Sequence, residues 1–211
     1  MKKIFWLLSL ILGVSFVSCS EEAEVGEFEG NWEERNVNYL DSIATVARAT
    51  QGNAEGQWKV IQSYHLSKDF TSTDNQDYVY AKIIKNGSGE ISPIYSDSVS
   101  VSYRGRLIPT VSYKDGYVFD QSYTGDLYTF DSTTKSYVLN EDNIKIMVPS
   151  VFSASGVIVG WTTALQQMHV GDIWRVYIPQ NLGYGSTAES SIPAYSTLVF
   201  DVYLQKITTQ R

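Results

Sequence analysis

The sequence predicts an α+β fold, in which antiparallel strands form a sheet and one short helix packs on it. Three observations carry this. Two segments near the C-terminus, "DIWRVYIP" (172–179) and "STLVFDVYLQKI" (196–207), alternate as strands do. In the second, Leu198, Phe200, Val202 and Leu204 share one face, while Asp201 and Gln205 look the other way. In "GWTTALQQMHVGD" (160–172), Trp161, Ala164, Leu165 and Met168 fall at i, i+3, i+4 and i+7 of a short helix closed by Gly171. Finally, 15 tyrosines within an aromatic content of 13% favour strands over a helical bundle.

The first element is an address. Lys2 and Lys3 precede an apolar run from Ile4 to Val17, short of the roughly 20 residues a membrane-spanning helix needs. Residues 1–18 therefore read as a secretion signal. It ends in "FVSC", whose Cys19 is the only cysteine of the chain. The stretch resembles a bacterial lipobox, with Phe16 where leucine is usual, and the resemblance implies lipidation of Cys19. A cysteine with no intrachain partner suits an anchor better than a structural bond. Residues 19–30, with the acidic run "SEEAEVGEFEG", read as a solvated tether, either a periplasmic leash or a surface-export tag. The expected location is the cell envelope, lipid-anchored at the outer membrane, on its periplasmic face or at the cell surface.

Next comes an N-terminal extension, residues 31–78. Asn31 is a candidate cap for a helix with Glu33 and Glu34 in its first turn. Trp32, Tyr39, Leu40, Ile43, Val46 and Ala47 recur at helical spacing until Gly52 and Gly56. The helix is expected to pack on its own domain, with a homodimer through residues 31–50 or a substrate-holding surface as the alternatives. "WKVIQSYHL" (58–66) and "YVYAKIIK" (78–85) read as strands around the polar turn 67–77. "KNGSGEISP" (85–93) is a turn-rich break, and "SVSVSY" (98–103) is a half-buried strand with Val99, Val101 and Tyr103 on one face. Residues 107–156, rich in Ser, Thr, Asp and Tyr, read as loops with short strands.

Charge and composition remove several functions. The formal net charge is −7, and becomes −9 once Lys2 and Lys3 leave with the signal. No run of Lys or Arg survives to attract a phosphate backbone, so nucleic acid is not expected as a partner. His65 and His169 are the only histidines, too few for a zinc or copper site beside a lipidated cysteine. "GSGE" (87–90) lacks the context of a phosphate-gripping loop. No cofactor is implied.

Five segments in order, "VSVSYRGRL", "DGYVFDQS", "GVIVGWTTALQQMHVGD", "IPQNLGYG" and "IPAYSTLVFDVYLQKI", resemble the FKBP-type peptidyl-prolyl cis-trans isomerases. The resemblance implies an FKBP-like twisted antiparallel sheet wrapped around the short helix, in a domain 79–211 with an insertion around 125–150. It implies rotation of X–Pro bonds in unfolded or secreted polypeptides, with macrolides such as rapamycin as inhibitors. It also implies the site. Tyr103, Phe119 and Asp120 fall on pocket-wall positions, and Val157 and Ile158 on the rim, where the Ile158 amide donates to a ligand carbonyl. Trp161 falls on the floor, Tyr184 on a tyrosine that bonds the substrate carbonyl, and Ile192 and Phe200 on the apolar lining. Phe130 and Phe152 compete for one further aromatic position. Gly125 stands about where the family often has an arginine pairing with the aspartate, and Ala194 where a second proline is common. A second reading therefore stands beside the enzyme: a weakly catalytic FKBP-like module that holds a partner envelope protein.

Overall fold

The computed structural model describes residues 26–209. The signal segment 1–18, Cys19 and most of the tether lie outside the described residues. Helix α1 (Trp32–Ala49) opens the fold. Strands β1 (Trp58–Gln62), β2 (Tyr78–Lys85), β3 (Ser98–Arg106) and β4 (Val118–Gln121) follow. A hairpin, β5 (Tyr128–Asp131) and β6 (Ser136–Leu139), leads to a short helix α2 (Glu141–Ile146) and to β7 (Ser150–Ser153). Helix α3 (Val159–Leu165), β8 (Ile173–Ile178) and β9 (Leu198–Thr208) complete the chain.

The main sheet runs β1-β2-β8-β9-β3-β4, with β7 also paired to β3. All these strand pairs are antiparallel. Strict alternation sorts the side chains into two layers. On the inner face, Val79, Ala81 and Ile83 of β2 join Trp174, Val176 and Ile178 of β8. Leu198, Phe200, Val202 and Leu204 of β9 extend that face, and Trp161, Ala164, Leu165 and Met168 close over it. Helix α3 ends at Leu165, before Gly171. Gly171 serves instead the turn into β8: its φ is +97°, and a Cβ there would sit 2.8 Å from the Gly87 Cα.

The outer face is covered as well. Leu40, Ala44 and Ala47 of α1 pack on Trp58, Tyr78, Tyr80, Tyr177 and Val199. The β5–β6 hairpin and α2 pack beside them, with Leu127, Tyr128, Leu139 and Ile144 against Ile84 and Ile173. The inserted residues therefore sit on the side of the sheet away from α3.

Several sequence expectations need correction. Asn31 makes no side-chain cap bond. Asn36, buried in α1, is the structural asparagine: its amide donates to the Trp32 carbonyl at 2.8 Å and its oxygen accepts from Thr197 N at 2.7 Å. Val46 faces solvent, 49% exposed, because the apolar stripe of α1 runs through Leu40, Ala44 and Ala47. That stripe is filled by the helix's own sheet, and the outward face carries Glu33, Glu34, Asn38, Asp41 and Thr45. The apolar stripe of α1 is thus occupied within the chain. β1 stops at Gln62 instead of running to Leu66, since Ser63 turns the chain and accepts from Leu66 N. The end of the tether is docked rather than solvated. Phe28 meets the ring of Trp32 edge-on at 5.3 Å, and Glu27 accepts from Ser112 N and Oγ.

Candidate active site

A pocket of about 470 Å³ opens on the inner side of the sheet, next to the start of α3. Its geometry follows from the elements. β3 delivers Tyr103, β9 Phe200, β7 Phe152, and α3 sets Trp161 beneath them. The Trp161 ring is 5% exposed and meets Tyr103, Phe152 and Phe200 edge-on, at centroid distances of 5.4, 5.7 and 5.2 Å. Edge-to-face contacts of this kind hold rings in fixed orientations. The floor is thus rigid and apolar.

The polar groups lie at the rim. Asp120 accepts from the Tyr103 hydroxyl at 2.7 Å and joins no ion pair among the described residues. Burial, helped by the adjacent carboxylate of Asp120, pushes the Tyr103 hydroxyl well above the usual tyrosine range. Burial also raises Tyr184, with Glu189 and Asp120 adding to the effect. Both phenols are therefore protonated donors at neutral pH. Tyr184 is 40% exposed, and its hydroxyl has no hydrogen-bond partner among the described residues. Ile158 caps α3: its carbonyl accepts from Trp161 N and Thr162 N, while its own N–H is left without a backbone partner. The rim thus offers two unengaged donors, one phenol and one amide, over an apolar floor.

Gly105 is needed for this arrangement. A Cβ at that position would come within 2.5 Å of the Phe119 ring and 2.6 Å of the Phe200 ring. Any side chain there displaces the pocket wall.

Of the nine residues the sequence pointed to, the structure brings Tyr103, Asp120, Val157, Ile158, Trp161, Tyr184 and Phe200 to one pocket. The other two are placed differently. Phe119 meets Phe200 edge-on at 5.5 Å, beside the pocket. Ile192 is 5% exposed and packs in the same cluster as Trp161 and Phe200. Phe152 and Gly156 complete the lining. Phe130, the rival of Phe152, is 53% exposed on the outer hairpin. The signal that separates them is pairing: Phe152 lies opposite Val99 in β3, whereas Phe130 pairs only within its hairpin.

Comparison with known proteins agrees with this picture. The family model described as FKBP-type peptidyl-prolyl cis-trans isomerase matches residues 89–205. The chain is 32% identical over 199 residues to the macrophage infectivity potentiator of Trypanosoma cruzi, covering 93% of this chain and 80% of that protein. It is 39% identical over 127 residues to the FKBP-type 22 kDa peptidyl-prolyl cis-trans isomerase of Escherichia coli K12. That match covers 60% of this chain and 48% of the relative, so the chain spans about half its length. Among solved structures, a peptidyl-prolyl cis-trans isomerase from Pseudomonas syringae superposes with a TM-score of 0.51 at 24% identity. The superposition covers 83% of this chain and 96% of that one, and supports the fold.

Proposed function

Because the chain belongs to the FKBP-type peptidyl-prolyl cis-trans isomerases, we propose that the aromatic cup rotates X–Pro bonds in polypeptides outside the cytoplasm. Uncatalysed rotation faces a barrier of about 18–20 kcal/mol and takes tens to hundreds of seconds. The planar amide owes its stiffness to charge-separated resonance, which water solvates well. The twisted amide has lost that resonance. Walls built from Tyr103, Phe152, Trp161 and Phe200 solvate the planar form poorly and accept the twisted form, so binding favours the transition state. Rotation makes and breaks no covalent bond. The parts needed are therefore apolar walls and a donor or two for the flanking carbonyls, the roles of Tyr184 and the Ile158 amide. Asp120 orients through Tyr103 rather than acting as a base.

The observation that carries the reading is the convergence of four rings from β3, β7, α3 and β9 around one cavity. A protease-coupled assay with a proline peptide tests it. Turnover is expected, inhibited by rapamycin, with Tyr184→Phe lowering kcat/KM about fivefold, the worth of one hydrogen bond of about 1 kcal/mol. A Tyr184→Phe variant with unchanged kcat/KM would remove that residue from the mechanism.

Asp120 has no cationic partner among the described residues, which favours one second reading, a slow isomerase that mainly holds proline segments of envelope proteins. Saturable macrolide binding without turnover would select it. The lipobox-like "FVSC" supports anchoring through Cys19. Metabolic labelling with a fatty-acid analogue should mark the wild type and leave Cys19→Ala unlabelled and soluble; an unlabelled wild type would rule the anchor out.

A further inference from the structure

A second cleft lies on the opposite side of the sheet, with a volume of about 340 Å³. That is within the range of roughly 300–1,000 Å³ usual for small-molecule sites. Tyr39 of α1 forms one wall and Tyr128 of β5 the other, while β3, β8 and β9 supply the floor. In a chain of net charge −7, this cleft gathers four cations, Arg104, Arg106, Lys114 and Arg175, against three carboxylates.

The pairing within the cleft leaves a positive charge over. Arg104 is fully engaged: Nε donates to Gln121 Oε1 at 2.8 Å, Nη2 donates to the Gly125 carbonyl, and Nη1 lies 3.7 Å from Asp126. Arg106 and Arg175 share one carboxylate. Asp201 takes Arg106 Nη1 at 2.5 Å, and Arg175 Nε and Nη2 at 2.8 and 3.1 Å. Nε and Nη2 of Arg106, and Nη1 of Arg175, have no partner among the described residues. The hydroxyl of Tyr123 is buried in the same lining and is also without a partner. Two guanidiniums on one carboxylate, with donors to spare, form a half-filled ion cluster, and a second anion would complete it.

We propose that this cleft binds a small organic anion, whose carboxylate joins Arg106 and Arg175 and whose body lies between Tyr39 and Tyr128. A carboxylate suits the cleft because the spare donors are guanidinium N–H groups, which form charge-assisted hydrogen bonds with carboxylates. The site is separate from the aromatic cup, which lies beneath the other face of β9: Asp201 points out where Phe200 and Val202 point in.

Calorimetric titration of the full chain tests the proposal, with N-acetyl-L-phenylalanine as probe, its amide as control and inorganic phosphate as a third arm. The acid should saturate, and the amide should bind at least about tenfold more weakly. Arg175→Lys keeps a charge beside Asp201 but loses the fork, so it should weaken the acid about tenfold while leaving proline isomerisation unchanged. Lys114→Ala, at an exposed rim position, is the second variant, and should weaken binding about threefold at low salt. Absence of saturation, equal binding of acid and amide, equal binding of phosphate, or wild-type affinity in both variants would each overturn the proposal.

Discussion

Asp201→Ala is expected to lower the unfolding free energy at neutral pH by about 3–5 kcal/mol, the usual result of removing one partner from a buried ion cluster. Asp201 is 3% exposed and accepts from Arg106, Arg175 and the hydroxyl of Tyr128. Deleting the carboxylate leaves two guanidiniums facing each other across β3, β9 and β8 with no anion between them. Burial opposes the charge on Asp201, but Arg175 and Arg106 outweigh it and hold its pKa below the ordinary aspartate value. An unfolded aspartate titrates near 3.9, so the contribution of Asp201 is complete above about pH 5. It is lost as pH falls through the depressed folded value, because the unfolded chain takes up the proton first. Denaturant unfolding at neutral and acid pH should therefore show a steep loss below about pH 4 in the wild type and a flatter one in Asp201→Ala. Asp126→Ala is the control. Its carboxylate is 70% exposed and lies 3.7 Å from Arg104, so its loss should change stability by no more than about 1 kcal/mol.

The same residue shows where the sequence stops being legible. Alternation in "LVFDVYL" puts Asp201 on the face away from the core, and so it is. A pattern of period two tells which face a residue takes but not what covers that face. Asp201 is buried because α1 and the inserted hairpin both dock there, and neither can be placed by periodicity. The extension shows the same limit. Helical spacing located α1 to within a residue at its start, but an apolar stripe on a helix does not name its partner. The sheet chose Leu40, Ala44 and Ala47 and left Val46 in water.

The pocket was legible to a different degree. Tyr103, Trp161 and Phe200 sit in strongly patterned elements, and pattern plus the order of motifs located them. Phe119 and Ile192 lie in the same motifs: one packs edge-on to Phe200, and the other joins the cluster that holds Trp161 and Phe200. A motif fixes sequence position; the last few ångströms of side-chain placement depend on which ring reaches the cavity first. Phe152 could be told from Phe130 only by strand pairing between distant segments, a long-range contact that no local signal carries.

Trp161→Ala is expected to have the larger effect on activity. Truncating a buried tryptophan typically costs 3–5 kcal/mol, of order the lower end of a domain's whole stability. The chemical loss is separate and arises from the floor. Trp161 is the one ring in T-shaped contact with Tyr103, Phe152 and Phe200 together. With alanine in its place, water reaches the amide, the planar ground state regains its solvation, and the three walls lose their common support. A fall in kcat/KM of about 100-fold, or ~2.7 kcal/mol of transition-state stabilisation, is expected. Trp161→Leu separates the two effects, because it keeps the floor apolar while discarding the indole. If dryness is what matters, Trp161→Leu should retain turnover within about tenfold of wild type, and rapamycin should still bind it. Assays run at low temperature, beside thermal unfolding of each variant, correct for any unfolded fraction. A folded Trp161→Ala protein with wild-type turnover would show that the rotation does not occur in this cup. Equal losses in the leucine and alanine variants would show that the indole itself, rather than its dryness, is what the reaction needs.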